Sequence, residues 1–447
     1  MQNRPNIVFI LADDLGYADL GCYGARTSSV SPHLDGLAAG GLLFDWAYSN
    51  SPVCSPTRFA LMSGRYQYRL PGGSEEPLTF SRMKRAPGRL GFPPEHPSLP
   101  SLLRAAGYRT ALIGKWHLGK PPECDPLRSG YEEHFGCYGG GLDYHSYLTL
   151  GGDRDLWHNG KPADATGYLT DVLTDRAIDF MQRCAADSQP FLLSLHYTAP
   201  HWPWQAREDA AESRRIGSAV QHADGGSVAT YRRMVLQMDE GIGRLVQRLR
   251  ALGELDNTLI VFTSDNGGER FSDSWPLIGG KMDLTEGGIR VPCIAHWPAR
   301  VLKGRVTSQL CITMDWMATI LEATGAAPHP DWPLDGMSLL PTLVDPSVVF
   351  SRELFWRMKY RNQWAVRSGR WKYLVINGHE YLFDLHADQR ERANVIRRYP
   401  ERVAALRAAL LQWSGTMPSI PLDAEYSLVV TDRDMPHWHS AGDGPHS

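Results

Sequence analysis

The feature that most constrains the fold is an alternation, repeated along most of the chain, of short apolar β-rich runs with stretches of helical periodicity. Residues 7–12 form an apolar run and 34–40 a helical one, and the pattern continues through 110–113, 172–183, 191–196, 231–252 and 258–263. Such alternation predicts an α/β domain: a large mixed, mostly parallel sheet flanked by helices. In open sheets of that kind ligands collect at the carboxyl ends of the strands. Beyond Pro346 the pattern changes to short aromatic-rich strands at 364–366, 371–376 and 380–385 with Gly-containing turns between them. A closing helix is expected near 401–413, where Val403, Leu406, Leu410 and Trp413 recur at helical spacing. The chain of 447 residues therefore divides into a large α/β domain over 1–345 and a small α+β domain over 346–447, an antiparallel sheet with a helix and a structural role.

Composition excludes two classes of partner. No apolar run approaches the roughly 20 residues of a membrane span, and hydrophobic content of 43% with 21% charged residues is ordinary for a globular protein. A formal net charge of -3 gives no electrostatic footprint for nucleic acid. Seven cysteines, an odd number, lack the paired spacing of a zinc site or a disulfide scaffold. The run at 7–12 is cut off by Asp13 and Asp14 with no small-residue cleavage site after it, so the expected setting is cytoplasmic, or periplasmic if a leader was removed. The loops at 66–97 and 205–227 exceed usual connection lengths and are read as functional rims or mobile segments. Arg69, Arg82, Lys84 and Arg85 form either a solvated face or a surface tolerant of acidic substrates.

Five groups of residues could carry chemistry. Asp13-Asp14 and Asp265-Asn266 each follow a buried-type strand. Alone, each reads equally as a cap or turn; together, three carboxylates and an amide oxygen make an all-oxygen shell for a hard dication. Cys54 precedes Ser55-Pro56, read as N-cap and first helical residue, which places Cys54 at a helix mouth, a ready anion site, with Arg58 able to point back toward it. A lone cysteine is otherwise a small buried hydrophobe. In 114–119, Lys115 and His117 would share one face of an extended segment while Trp116 and Leu118 pack the other way. His201 leaves the strand at 191–195 in a loop constrained by two prolines and is favoured over His196. Gly279-Gly280 would let backbone approach a ligand and deliver Lys281.

Taken together, these segments resemble the formylglycine-dependent sulfatases of arylsulfatase type, members of the alkaline-phosphatase-like superfamily. The match runs over nearly the whole chain: Pro5-Asn6-Ile7-Val8 into Asp13-Asp14-Leu15-Gly16, CSPTR at 54–58 with LMSGR at 61–65, GKWHLG at 114–119, TAPHWP at 198–203, SDNGG at 264–268, Gly279-Gly280-Lys281, EGGIRVP at 286–292 and YLFDL at 381–385. CSPTR in its context is the specific motif. The resemblance implies that a separate maturation enzyme oxidises Cys54 to formylglycine, hydrated as a gem-diol. One hydroxyl attacks sulfur and expels the alcohol; the other loses its proton so that sulfate departs, which a serine could not achieve. It also implies that Asp13, Asp14, Asp265 and Asn266, with residue 54, bind a metal, usually Ca²⁺ with Mg²⁺ as the alternative. Arg58 and Lys115 would stabilise the hydrate and the sulfuryl oxygens, His117 would take the proton during elimination, and His201 and Lys281 would bind sulfate and assist departure of the alcohol. The substrate would be a sulfated small molecule or sugar. In several relatives a hydroxyl side chain stands where this chain has Gly139-Gly140-Gly141, so that role is either absent or served by Asp143 or His145, and it is left unassigned. Two alternatives stay open: a phosphate or phosphonate monoester hydrolase on the same scaffold, and a non-catalytic relative with unmodified Cys54.

Overall fold

The computed structural model describes residues 4–25, 30–70 and 91–420. Asn6–Ala12 lies at the centre of a ten-stranded sheet, between Phe191–His196 and Thr258–Ser264, and pairs in parallel with both. Arg109–Lys115 and Glu133–Cys137 continue the parallel order on one side, ending in the small antiparallel strands Trp157–His158 and Lys161–Pro162. On the other side Cys293–His296 runs antiparallel, followed by Leu42–Phe44 and Arg305–Thr307. The sheet is thus mixed and mostly parallel.

The central strands are apolar throughout because both faces are covered. Val8, Ile10 and Ala12 enter one core, with Leu173, Ala177, Met234 and Met238 from the helices Leu169–Ala186 and Val228–Ala251. Ile7, Phe9 and Leu11 enter another on the opposite face, with Phe59, Leu103 and Trp316 from Cys54–Ser63, Leu99–Ala105 and Asp315–Thr324. A strand whose odd and even side chains feed different cores has no polar face to spare. Polar residues therefore gather where the strands end.

A second, four-stranded antiparallel sheet comprises Glu353–Met358, Gln363–Ser368, Trp371–Ile376 and His379–Asp384. Its first strand gives no clean sequence signal, because Glu353 and Arg357 interrupt the apolar residues Leu354, Trp356 and Met358; these three are buried, and so is Arg357. The helix Pro400–Gly415 docks through Val403, Leu406, Leu410 and Trp413, the residues that the spacing selects. This sheet braces loops of the larger one. Trp356 Nε1 donates to Ser49 O at 2.8 Å, and the Gln363 amide holds the stretch that follows Lys281, donating to Met282 O and accepting from Leu284 N at 2.9 Å each.

The segment 205–227 is not an open rim: it folds into the helix Ala210–Ile216 and is tied down by His222 and Arg215, which bond to Glu212. In the loop 66–97, residues 71–90, and with them Arg82, Lys84 and Arg85, lie outside the described residues; Arg69 forms a bidentate pair with Asp335. Among the described residues no helix is long and apolar enough to cross a membrane. Trp413 stacks on Phe355 at 5.2 Å between centroids and meets Tyr66 and Tyr68 edge-on. Trp413→Ala is expected to cost about 3–5 kcal/mol through the cavity it leaves, read as a lowered denaturation midpoint in guanidinium chloride.

Candidate active site

Ala12 and Ser264 are paired, so Asp13 and Asp265 leave the sheet side by side, and Asp265 N donates to Ala12 O at 3.1 Å. Asp14 then adopts φ +65, a left-handed conformation that aspartate tolerates and that recurs where structure over-determines a site. Ser264 Oγ fixes the turn, accepting from Leu15 N and donating to Asn266 O. Cys54 comes from the opposite direction on the helix Cys54–Ser63, all of whose residues are buried. The N-cap is Val53 rather than Ser55, so the helix starts earlier than Ser-Pro predicts; the hydroxyl that orders the entry is Thr57, which bonds to both N and O of Ser51. Cys54 thus occupies the first helical position, at the positive end of the dipole.

Ligand-capable atoms of Asp13, Asp14, Cys54 and His201 all lie within 4.8 Å of one another. Three cations interleave with the carboxylates. Arg58 donates through Nε and Nη2 to Asp265 Oδ2 at 3.0 and 2.8 Å and through Nη1 to Lys115 O at 3.0 Å. Lys115 Nζ lies 2.6 Å from Asp13 Oδ2, and Lys281 Nζ 2.7 Å from Asp14 Oδ2. The side chains are almost wholly out of water. Charges so placed are held by their partners. Burial works against ionisation of Asp14, but Lys281, His201 and Lys115 together hold its carboxyl far below the ordinary range. Burial, followed by repulsion from Asp13, pushes Asp265 up to about 6 against the pull of Arg58. Burial also dominates at Cys54 and drives its thiol far above the ordinary range despite Lys115 and Lys281.

The donor set fits a hard cation. Asp13 Oδ1 and Asn266 Oδ1 are buried oxygens that accept no hydrogen bond among the described residues, a costly condition that a cation would relieve. Three carboxylates and three fixed cations balance, so an added dication would leave the pocket positive and suited to an anion.

Not every candidate stands in that group. His117 has φ +55 and the strand ends at Lys115, so the extended alternation stops there, although Trp116 and Leu118 are buried as expected. The His117 ring lies against Gly140, where a Cβ would come within 2.6 Å of it, and His201 lies against Gly141 in the same way at 3.1 Å. His201 Nδ1 is 2.8 Å from Trp202 O and its Nε2 is 3.6 Å from Asp14 Oδ2. Burial and then Lys281 and Lys115 lower the imidazole's proton affinity against the pull of Asp14, and Nδ1, which faces a carbonyl, is the donor to it. His196 sits behind Arg58, with Nδ1 3.3 Å from Lys115 O. Asp143 accepts from His145 N, Ser146 N, Ser213 Oγ and Gln205 Nε2, and His145 Nε2 faces Ala206 O. Glu269, 3.9 Å from Lys281 Nζ, was missed; only its nearness to the SDNGG turn could have signalled it.

Residues 5–326 match the Sulfatase family model. The chain belongs to the sulfatase family. It is 35% identical over 395 residues to N-acetylgalactosamine-6-sulfatase of Canis lupus familiaris, covering 82% of this chain and 71% of that protein. It is 33% identical to human arylsulfatase A, over 82% and 74% of the two chains. The crystal structure of Ps i-CgsB in complex with k-i-k-neocarrahexaose superposes with a TM-score of 0.81 at 33% identity, over 92% of this chain and 93% of that one. The phosphonate monoester hydrolase of Agrobacterium radiobacter shares the fold at 21% identity and a TM-score of 0.65 over 92% and 96% of the two chains. This sulfatase is thus a sulfuric ester hydrolase. Arg58→Met would leave Asp265 buried without its guanidinium, and metal-free protein in EDTA is expected to lose about 3–5 kcal/mol, measured by denaturant unfolding.

Proposed function

We propose that this sulfatase hydrolyses sulfate monoesters of sugars with a calcium ion held by Asp13, Asp14, Asp265, Asn266 and residue 54. We further assign residue 54 as formylglycine, made from Cys54 by a separate maturation enzyme. The observation that carries the metal assignment is a pair of buried acceptors without hydrogen-bond donors, Asp13 Oδ1, whose carboxylate lies beside Cys54, and Asn266 Oδ1. A hard ion that takes oxygen donors in irregular geometry suits this set, which favours Ca²⁺ over the stricter Mg²⁺. The sugar assignment is supported by relatives named for N-acetylgalactosamine 6-sulfate hydrolysis and by the fold neighbour crystallised with a neocarrahexaose.

A bound dication supplies positive charge against the sulfuryl oxygens and the residue-54 hydroxyls. The protein's own groups do the rest. Arg58 and Lys115 keep their charges, since their carboxylate partners raise both groups' proton affinity against burial. They face the residue-54 side and offset negative charge there. Lys281, whose ammonium is likewise held by Asp14, binds a sulfuryl oxygen. His201 has Nδ1 committed to Trp202 O, so any proton it exchanges with the departing alcohol moves at Nε2. His117, set by Gly140, is assigned the proton released as sulfate leaves.

The reading is tested by comparing kcat/KM for an aryl sulfate with its aryl phosphate and phosphonate counterparts. The sulfate is expected to be preferred, and a clear phosphoryl preference would overturn the assignment. Lys281→Ala removes one charge-stabilising donor and should lower kcat by about 100- to 1,000-fold, measured on the same aryl sulfate with the fold checked by circular dichroism.

A further inference from the structure

Outside the active site, a cleft of about 460 Å³ opens between the edge of the large sheet and the small one. Arg352, Arg367, Arg370, His386 and Trp46 line it, and no carboxylate does. Arg352 is paired with buried Asp315 and Arg370 with Asp384. Arg367 is different. Its guanidinium is buried and donates through Nε to Tyr48 Oη at 3.2 Å and through Nη1 to Gly369 O, all neutral acceptors, while Nη2 has no hydrogen-bond partner among the described residues. Arg352 Nε is a second buried donor without a partner. Buried donors are nearly always satisfied, and a guanidinium left short of acceptors beside an open cleft matches a missing anion.

Two of the three arginines are balanced by Asp315 and Asp384, and Arg367 shares the field of buried Glu286 with Lys372 and Arg290. His386 is exposed, and its imidazole is held below the ordinary range by partial burial and then by Arg367 and Arg370, with Asp384 and Asp45 opposing. Arg367 and Arg290 lie over Trp46, at 4.7 and 3.8 Å from the ring. None of these side chains belongs to the active-site group.

We propose that this cleft is a second oxyanion-binding site, taking a sulfate group through Arg367 and Arg370 with Arg352 behind them. Two sources share that chemistry: inorganic sulfate, the product of the reaction, and a sulfate group elsewhere on a multiply sulfated saccharide. The donors left over are single ones, Arg367 Nη2 and Arg352 Nε, because Arg370 gives Nε and Nη2 to Asp384, a carboxylate for which a sulfate would compete.

The test is equilibrium dialysis of the full chain against radiolabelled inorganic sulfate and, separately, a sulfated oligosaccharide, at low ionic strength. Wild type is expected to hold one more bound anion per chain than Arg370→Glu, whose cleft affinity should fall by about tenfold or more, as loss of a charge-assisted pair implies. Arg370→Glu should leave kcat/KM for a small aryl sulfate unchanged. Arg367→Gln should behave likewise if it folds; exposed Arg370 decides the matter if it does not. An excess site for inorganic sulfate identifies a product site, and one for the oligosaccharide alone identifies a substrate subsite. Equal numbers bound to wild type and Arg370→Glu with both probes would overturn the proposal.

Discussion

Three carboxylates, Asp13, Asp14 and Asp265, sit within a few ångströms of one another at the carboxyl ends of two adjacent strands, and none reaches solvent. Left alone, that much like charge out of water would be untenable, since desolvation costs several kcal/mol per ion even after relaxation. Arg58, Lys115 and Lys281 offset it, each from a different part of the chain: a helix, a strand end and a glycine-rich loop. Two oxygens beside them, Asp13 Oδ1 and Asn266 Oδ1, accept no hydrogen bond among the described residues. Much of the surrounding architecture serves to hold these six side chains still.

The sheet does this by register. Ala12 opposite Ser264, and Gly114 opposite His196, bring Asp13, Asp265 and Lys115 out on one edge. Gly114 also lets neighbouring backbone come close, since a Cβ there would fall 1.9 Å from His196 O. The small second sheet supplies the outer brace. Gln363 clamps the Lys281 loop, Trp356 holds the turn before Cys54, and Lys372 joins Glu286 and Glu391 in a buried ion group at the seam. A structural role for that sheet is therefore a role in keeping the site assembled.

Much of this was legible in the sequence where local pattern and function coincide. The apolar runs that end abruptly at Asp13 and Asp265 give both strand exits, because a strand buried on two faces cannot continue into charge. Val403, Leu406, Leu410 and Trp413 announced the docking helix by spacing alone. What the sequence hid depends on distant contacts or on backbone conformation. The left-handed turn at His117 has no compositional sign. Gln363 reads as an ordinary polar residue until its partners, some 80 positions away, are known. The start of the Cys54 helix was misplaced because no side chain caps it. The missing hydroxyl at Gly139-Gly140-Gly141 is explained by packing: two bare backbone positions lie flush against His117 and His201.

The buried thiol of Cys54, whose proton affinity burial raises, links these observations to the proposed reaction, in which residue 54 acts as formylglycine. Mass spectrometry of the peptide that contains residue 54, on protein produced with and without a maturation enzyme and assayed in parallel, tests that claim directly. The account predicts that sulfatase turnover rises in proportion to the fraction carrying the aldehyde. Full turnover from protein in which every residue 54 remains a thiol that iodoacetamide alkylates after unfolding would contradict it.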